Sequence, residues 1–235
     1  MFDGFYKSEF SVDDKVGRSV THVRGGKLLG GNSAFSHTGS YVEDGNGEIV
    51  LEVTSRRHVA DPKYPSLLGA DVSMIHVRGR PDGRNYRFEG TSPQMPGAVF
   101  RSLMTPLGDE DMPPAGAVGQ GGIGNGLYAV HFRMLDGLAG GLNGVMLLND
   151  GRILGGDAFF YYLGAYASAE GRWKGEILNQ EHTPASSEHP LFSGHEVGIG
   201  FAGICDHEGA ELEATALAGK RSIRLHAALK LVCKA

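Results

Sequence analysis

One segment of this chain occurs twice, and that repeat limits the possible architectures more than any other feature. Residues 26–41 read Gly-Lys-Leu-Leu-Gly-Gly-Asn-Ser-Ala-Phe-Ser-His-Thr-Gly-Ser-Tyr, and residues 151–166 read Gly-Arg-Ile-Leu-Gly-Gly-Asp-Ala-Phe-Phe-Tyr-Tyr-Leu-Gly-Ala-Tyr. All sixteen positions align at one offset of 125 (26 to 151, 41 to 166), seven are identical, and Lys/Arg, Leu/Ile and Asn/Asp keep their chemistry. Upstream, Asp3-Gly4-Phe5-Tyr6 matches Asn125-Gly126-Leu127-Tyr128, and Phe10 matches Phe132, at an offset of 122. The three extra residues of the second copy fall around Gly137 to Gly144. Downstream, Pro65, Gly69 and Val72 match Pro190, Gly194 and Val197 at 125 again. A period this long means two tandem domains built on one plan.

The copies are expected at 1–107 and 125–235, joined by a linker over 108–124. That linker reads TPLGDEDMPPAGAVGQGGIG from residue 105, a Pro- and Gly-rich composition unsuited to a core. Within each copy the hydrophobic period is two. Tyr6, Phe10 and Val12 fall on one parity, as do Ile49, Leu51 and Val53, then Tyr128, Val130, Phe132 and Met134, then Ile223, Leu225, Ala227, Leu229 and Leu231. Glu43-Asp44-Gly45-Asn46-Gly47 and Pro81-Asp82-Gly83 are turn signals, and Gly30-Gly31 marks a bulge or sharp bend. About eight short strands per copy, joined by tight turns, predict an all-β chain. The expected fold is two tandem small antiparallel up-and-down β-barrels.

Composition bounds the function classes. Hydrophobic content of 41% with 21% charge suits globular domains, and no run of about 18 apolar residues is present to form a spanning helix. Copy one has 13 Lys+Arg against 12 Asp+Glu, and copy two 9 against 12. Neither is basic enough to track a phosphate backbone, so direct nucleic-acid binding is not expected. The opening Phe2-Asp3-Gly4-Phe5-Tyr6 is no basic and apolar leader, which makes a cytoplasmic protein the expectation. Cys205 and Cys233, the only cysteines, read as small thiols, with a disulfide within copy two as the alternative.

An Asp-Gly-hydrophobic-Tyr start, a Gly-Gly-Asp/Asn segment, an aromatic and a Gly-x-Tyr strand together resemble the GrlR family. Its members are lipocalin-like β-barrels and negative regulators of type III secretion. The resemblance covers both copies and implies two such barrels in tandem. It further implies regulation through a bound transcription factor, with an acidic loop as the recognition element. The matching loop here runs Val42 to Glu48, so Glu43, Asp44 and Glu48 are the candidate partner-binding residues. Copy two reads Ser168-Ala169-Glu170-Gly171-Arg172 at that place and has essentially lost the motif.

Other candidates are weaker. Gly119-Gln120-Gly121-Gly122-Ile123-Gly124 spells a dinucleotide fingerprint but lacks the strand before it and the helix after it, so no cofactor is expected. His182, His189 and His195 lack the spacing of a metal site, and no metal is expected. His58 and His182 hold similar places in the two copies, as a shared structural role would require. No nucleophile elbow, P-loop or carboxylate pair is visible, and the chain is not expected to be an enzyme. Phe159, Phe160, Tyr161 and Tyr162 follow one another in a strand, so half of them face outward. Phe159, Tyr161 and Tyr162 are thus candidates for a partner surface or a domain interface. The expectation is a non-enzymatic regulatory or adaptor protein acting by protein–protein contact, with an intramolecular pseudo-dimer or a homo-oligomer as possible assemblies and no membrane partner. The alternative is a carrier of a small apolar ligand inside a barrel.

Overall fold

Period-two alternation calls for one buried face per sheet, and here the sheet buries it by curling closed on itself, twice. The structure is a computed structural model that describes residues 2–108, 112–135, 141–184, 196–218 and 221–235. Among these residues all elements are β-strands, and no helix is long and apolar enough to cross a membrane. The chain divides into two units, Met1–Gly108 and Asp109–Ala235.

The first unit contains β1 (Gly4–Val12), β2 (Lys15–Arg24), β3 (Lys27–Gly31) and β4 (Phe35–Glu43). It continues with β5 (Ile49–Arg57), β6 (Val72–Asp82), β7 (Asn85–Thr91) and β8 (Phe100–Pro106). Each strand pairs antiparallel with the next, and β8 returns to β1, with Phe100 opposite Val12 and Pro106 opposite Tyr6. The second unit repeats this with β9 (Gly126–Met134), β10 (Gly141–Asn149), β11 (Arg152–Gly156) and β12 (Phe160–Ala169). Then follow β13 (Arg172–Glu181), β14 (Val197–Cys205), β15 (Gly209–Ala218) and β16 (Arg221–Lys234), which closes on β9. Two closed eight-stranded antiparallel barrels in tandem are thus the architecture, and closure removes the free sheet edges.

The repeated glycines earn their place by proximity. A Cβ on Gly30 would lie 2.1 Å from the Val20 carbonyl oxygen, and one on its duplicate Gly155 would lie 2.3 Å from that of Val145. Both residues sit on the shortest strands, β3 and β11, whose pairing runs through without the bulge that the Gly-Gly pair suggests. Other glycines make room for rings inside a small barrel. Phe10 lies across Gly17, Phe88 across Gly79 and Phe201 across Gly175.

One end of each barrel is stoppered by a residue from the segment ahead of its first strand. In barrel one this is Phe2, whose ring packs on Tyr6, Tyr41, Tyr86 and Phe88 at centroid distances of 4.8–5.5 Å. Asp3 ties the segment down, accepting a short hydrogen bond from the Tyr41 hydroxyl. In barrel two the buried residue is Ile123, which joins the core formed by Tyr128, Tyr166, Trp173 and Phe201. Residues 116–123, read from sequence as linker, are therefore an integral strap on barrel two. Gly119 N donates to Ser168 O, Ser168 N to Ala117 O and Gly171 N to Gly121 O, and Val118 bridges Ser168 in parallel. Glycine makes the fit possible: a Cβ on Gly116 would lie 2.1 Å from the Tyr166 carbonyl oxygen.

Gly155→Ala is expected to destabilise barrel two by at least about 2 kcal/mol, because the methyl group meets backbone that cannot turn aside. Gly198→Ala, with nothing within 4 Å of its Cβ, is expected to stay within about 1 kcal/mol of wild type. Urea unfolding followed by the fluorescence of Trp173, the single tryptophan, measures both.

Candidate functional site

The duplicated Gly-Gly-Asn/Asp segment builds the same corner in each barrel. At the turn into β4, Asn32 Oδ1 accepts from Ala34 N at 3.0 Å and Phe35 N at 2.9 Å. At the turn into β12, Asp157 Oδ1 accepts from Phe159 N at 2.7 Å and Phe160 N at 2.8 Å. A side-chain oxygen taking two backbone N–H groups fixes the angle at which the next strand departs. The matching histidines complete the corner. His58 Nε2 lies 3.1 Å from Asn32 O, and His182 Nε2 lies 3.4 Å from Asp157 O. Their backbone N–H groups bind Ala34 O and Phe159 O. His58 and His182 therefore do share a structural role.

The corner aims a polar side chain into each barrel: His37 in the first, Tyr162 in the second, both buried. The two interiors diverge from there. Cross-strand pairing in barrel one runs Ser8 to Ser19, then Thr21 to Gly30, Gly30 to His37, His37 to Ser55 and Ser55 to Ser73. The same ladder in barrel two runs Val130 to Gly144, then Met146 to Gly155, Gly155 to Tyr162, Tyr162 to Asn179 and Asn179 to Val197. Copy one is thus a layer of small hydroxyls around an imidazole, where copy two is bulkier and more apolar. In the second barrel Tyr162 donates to Asp157. In the first, neither ring nitrogen of His37 has a hydrogen-bond partner, and His58 Nδ1 is likewise without one. Burial, with a contribution from His58, pushes His37 down to about 4. Burial also lowers His58, opposed by its bond to the Asn32 carbonyl. Both rings are neutral near pH 7.

On the outside of barrel one, a recess of about 610 Å³ crosses β1 and β6–β8. Its charged lining is Glu9, Glu48, Arg78, Arg80, Arg87, Glu89 and Arg101, with Leu103 and Phe88 between them. Two of the expected acidic-loop residues are engaged within the fold. Asp44 Oδ1 accepts from Asn46 N and Glu48 N, which shapes the turn. The Glu48 carboxylate meets Arg78 at 3.0 Å and Arg80 at 3.5 Å. Glu43 ends β4, near enough to Tyr41 and Tyr86 for its charge to help hold both phenols protonated. Pairs between Arg101 and Glu89 and between Arg87 and Asp82 complete the surface.

The other expected residues fall in different settings. Tyr162 is inside barrel two, and Tyr161 on the opposite parity pairs with Gln180. Phe159 lies in the corner itself, its carbonyl accepting from His182 N. Gly119 to Gly124 belong to the strap, so these glycines serve backbone packing against β12 and β13. His189 and His195 lie outside the described residues, and among those described no group of three metal-ligating side chains forms. Cys205 and Cys233 form no disulfide. Sequence reading did not single out His37 or the arginine side of the recess. The signal for His37 was present in the alignment of the copies, as Ser8, Thr21 and His37 against Val130, Met146 and Tyr162. Beyond β4 the strand register shifts the match by one, so that Asn179 takes the place of Ser55 and Val197 that of Ser73 rather than of Val72. Neither protein-family models nor curated proteins give a match to this chain.

Asp157 carries a pH dependence of definite sign. Burial raises its carboxyl to about 6, against the opposing pull of the Phe159 and Phe160 N–H groups and the Tyr162 hydroxyl. The folded state then holds a proton that the unfolded state releases, so this group costs stability above pH 6 and ceases to do so below about 4. Asp157→Asn, which copies Asn32, is expected to stabilise barrel two by about 2–3 kcal/mol at pH 7.5. The gain should vanish near pH 4, as read by Trp173 fluorescence in urea. A gain independent of pH would show that the Asp157 carboxyl titrates alike in the folded and the unfolded chain.

Proposed function

We propose that the chain is a non-enzymatic regulatory or adaptor protein that works by protein–protein contact through the outer surface of barrel one. The arginine-rich recess carries this reading. Among the described residues that line it, four are arginines and none is a lysine. Arginine is the cation enriched at protein interfaces, because its planar fork binds carboxylates with two parallel hydrogen bonds and its weak hydration makes it easier to bury. The four guanidinium groups, themselves exposed, are held by surface carboxylates, Asp82 and Glu89 exposed and Glu48 half-buried, an arrangement that a partner's own carboxylates can replace at little cost. The partner surface that fits is therefore acidic. Regulation by contact with a transcription factor, as the GrlR resemblance implies, agrees with a binding surface of this kind. It assigns the acidic loop a supporting part: Asp44 shapes the turn, and Glu48 positions Arg78 and Arg80.

A carrier of a purely apolar molecule is the weaker reading. Aromatic side chains fill barrel two through Tyr128, Phe132, Tyr166, Trp173 and Phe201, and they stopper one end of barrel one.

The test is capture of partners from native host lysate on the immobilised full chain. Replacing Arg78 and Arg80 together by Ala is expected to lower capture of the bound partner at least tenfold, and 0.5 M salt should weaken the wild-type complex. Glu48→Ala, which releases both arginines, is expected to maintain or strengthen it. Loss of the partner with Glu48→Ala but not with the double arginine variant would transfer recognition to the acidic loop itself. All three substitutions remove exposed pairs worth about 0.2–1 kcal/mol each, so the barrel should stay folded.

A further inference from the structure

The interior of barrel one holds hydrogen-bonding capacity that the chain does not use. His37 is 8% exposed and has two unpartnered nitrogens, and His58 Nδ1 is a third such atom. Native interiors seldom leave such groups unpaired, since each costs about 1–3 kcal/mol. The duplicate treats the same space differently, with one unpartnered atom, Asn179 Nδ2, on its ladder against the three of His37 and His58. At the same ladder positions barrel two has Val130, Met146, Tyr162, Asn179 and Val197 in place of Ser8, Thr21, His37, Ser55 and Ser73. Every one of those five side chains is larger in copy two, and the tyrosine there has a partner in Asp157. Barrel one has the smaller side chain at all five, and at Ser8, Thr21 and Ser73 a hydroxyl where barrel two has an apolar group; only at Ser19, opposite Ser8, is barrel two the smaller, with Gly144.

We infer that the interior of barrel one around His37 is a binding site for a small uncharged molecule bearing both a hydrogen-bond donor and an acceptor on a flat apolar body. The polar half of that description follows from the histidines. Neutral His37 presents one N–H and one bare nitrogen. His58 must keep its proton on Nε2, because the atom facing it is the Asn32 carbonyl oxygen, so its Nδ1 is a bare acceptor. The apolar half follows from the rings. Phe10 meets His37 edge-on at 6.0 Å and stacks on Phe100 at 5.8 Å. Neutrality follows from the surroundings, for the layer of Ser8, Ser19, Thr21, His37, Ser55 and Ser73 contains no fixed charge to compensate an ion stripped of its water. Arg57, nearby in sequence to His58, is engaged by Asp71 and by the carbonyls of Val59 and Tyr64. Size is set by the fold, because an eight-stranded barrel admits at most one small guest. Phe2 and its aromatic neighbours stopper the far end. The near end is spanned by the connection between β5 and β6, whose Leu68 is buried in the same core. Exchange of the guest passes beneath that connection.

The site can be read on the full chain by labelling histidine with ¹⁵N and titrating with benzamide and phenol as neutral probes and benzoate as their charged counterpart. The expected result is a saturable shift of the His37 and His58 ring nitrogens with at least one neutral probe and none with benzoate. His37→Leu and Ser73→Val, the latter copying barrel two, should each weaken that response at least tenfold. The proposal also requires that the Tm of His37→Leu be held or raised, since unpaired buried nitrogens are removed; a histidine serving packing alone would lower it. If His37→Leu fails to fold, a core role stands and the proposal falls unless Ser73→Val abolishes a response seen in the wild type. No saturable shift with either neutral probe, an equal response to benzoate, or unchanged affinity in Ser73→Val would overturn it. None of these outcomes depends on the outer arginines, so the adaptor reading stands or falls separately.

Discussion

A single side-chain oxygen at each barrel corner sets the geometry on which the rest relies. Asn32 in the first copy and Asp157 in the second each gather two backbone N–H groups at the start of the fourth strand. A corner in a small barrel otherwise leaves such donors inside without partners. With them satisfied, β4 and β12 leave at a fixed angle, their neighbours close in over Gly30 and Gly155, and the second residue along points to the barrel axis. The histidine that follows the fifth strand locks the corner from the other side.

That common frame is what makes the divergence of the two interiors informative. Strand pairing is identical position for position, so a change from Ser73 to Val197 or from His37 to Tyr162 cannot be an adjustment to a different backbone. Barrel two holds an ionisable carboxyl in its corner and a tyrosine bound to it. Barrel one has an amide in the corner and an imidazole that is left over. The tyrosine finds its partner within the barrel; the imidazole does not.

Much of this was legible in the sequence. The repeat and its period-two alternation were enough to give two up-and-down barrels, and the inward parity of Tyr6, Phe10 and Val12 follows from spacing alone. The equivalence of His58 and His182 was visible as well. What could not be read was pairing across distance. The Glu48 contact with Arg78 and Arg80 joins residues on different strands, so an acidic loop looked like a free surface when it is half of a charge network. The strap was missed because Gly- and Pro-rich composition reads as flexible chain, whereas here the absence of side chains lets backbone lie against backbone at Tyr166 and Ser168. Ile123, alone among glycines, gave little sign that it was a core residue.

The strap also decides where the second barrel begins as a folding unit. Its stopper, Ile123, and its extra bridge at Val118 both lie ahead of Asn125, where the sequence repeat begins again. The partners of the strap are Gly151, in the turn before β11, and the hairpin of β12 and β13, all synthesised later. During translation the strap must therefore wait, unpaired, until that hairpin has formed, so closure of this end of barrel two is a late and non-local event. A fragment cut at the boundary of the repeat would contain all eight strands and still lack the residue that completes its core.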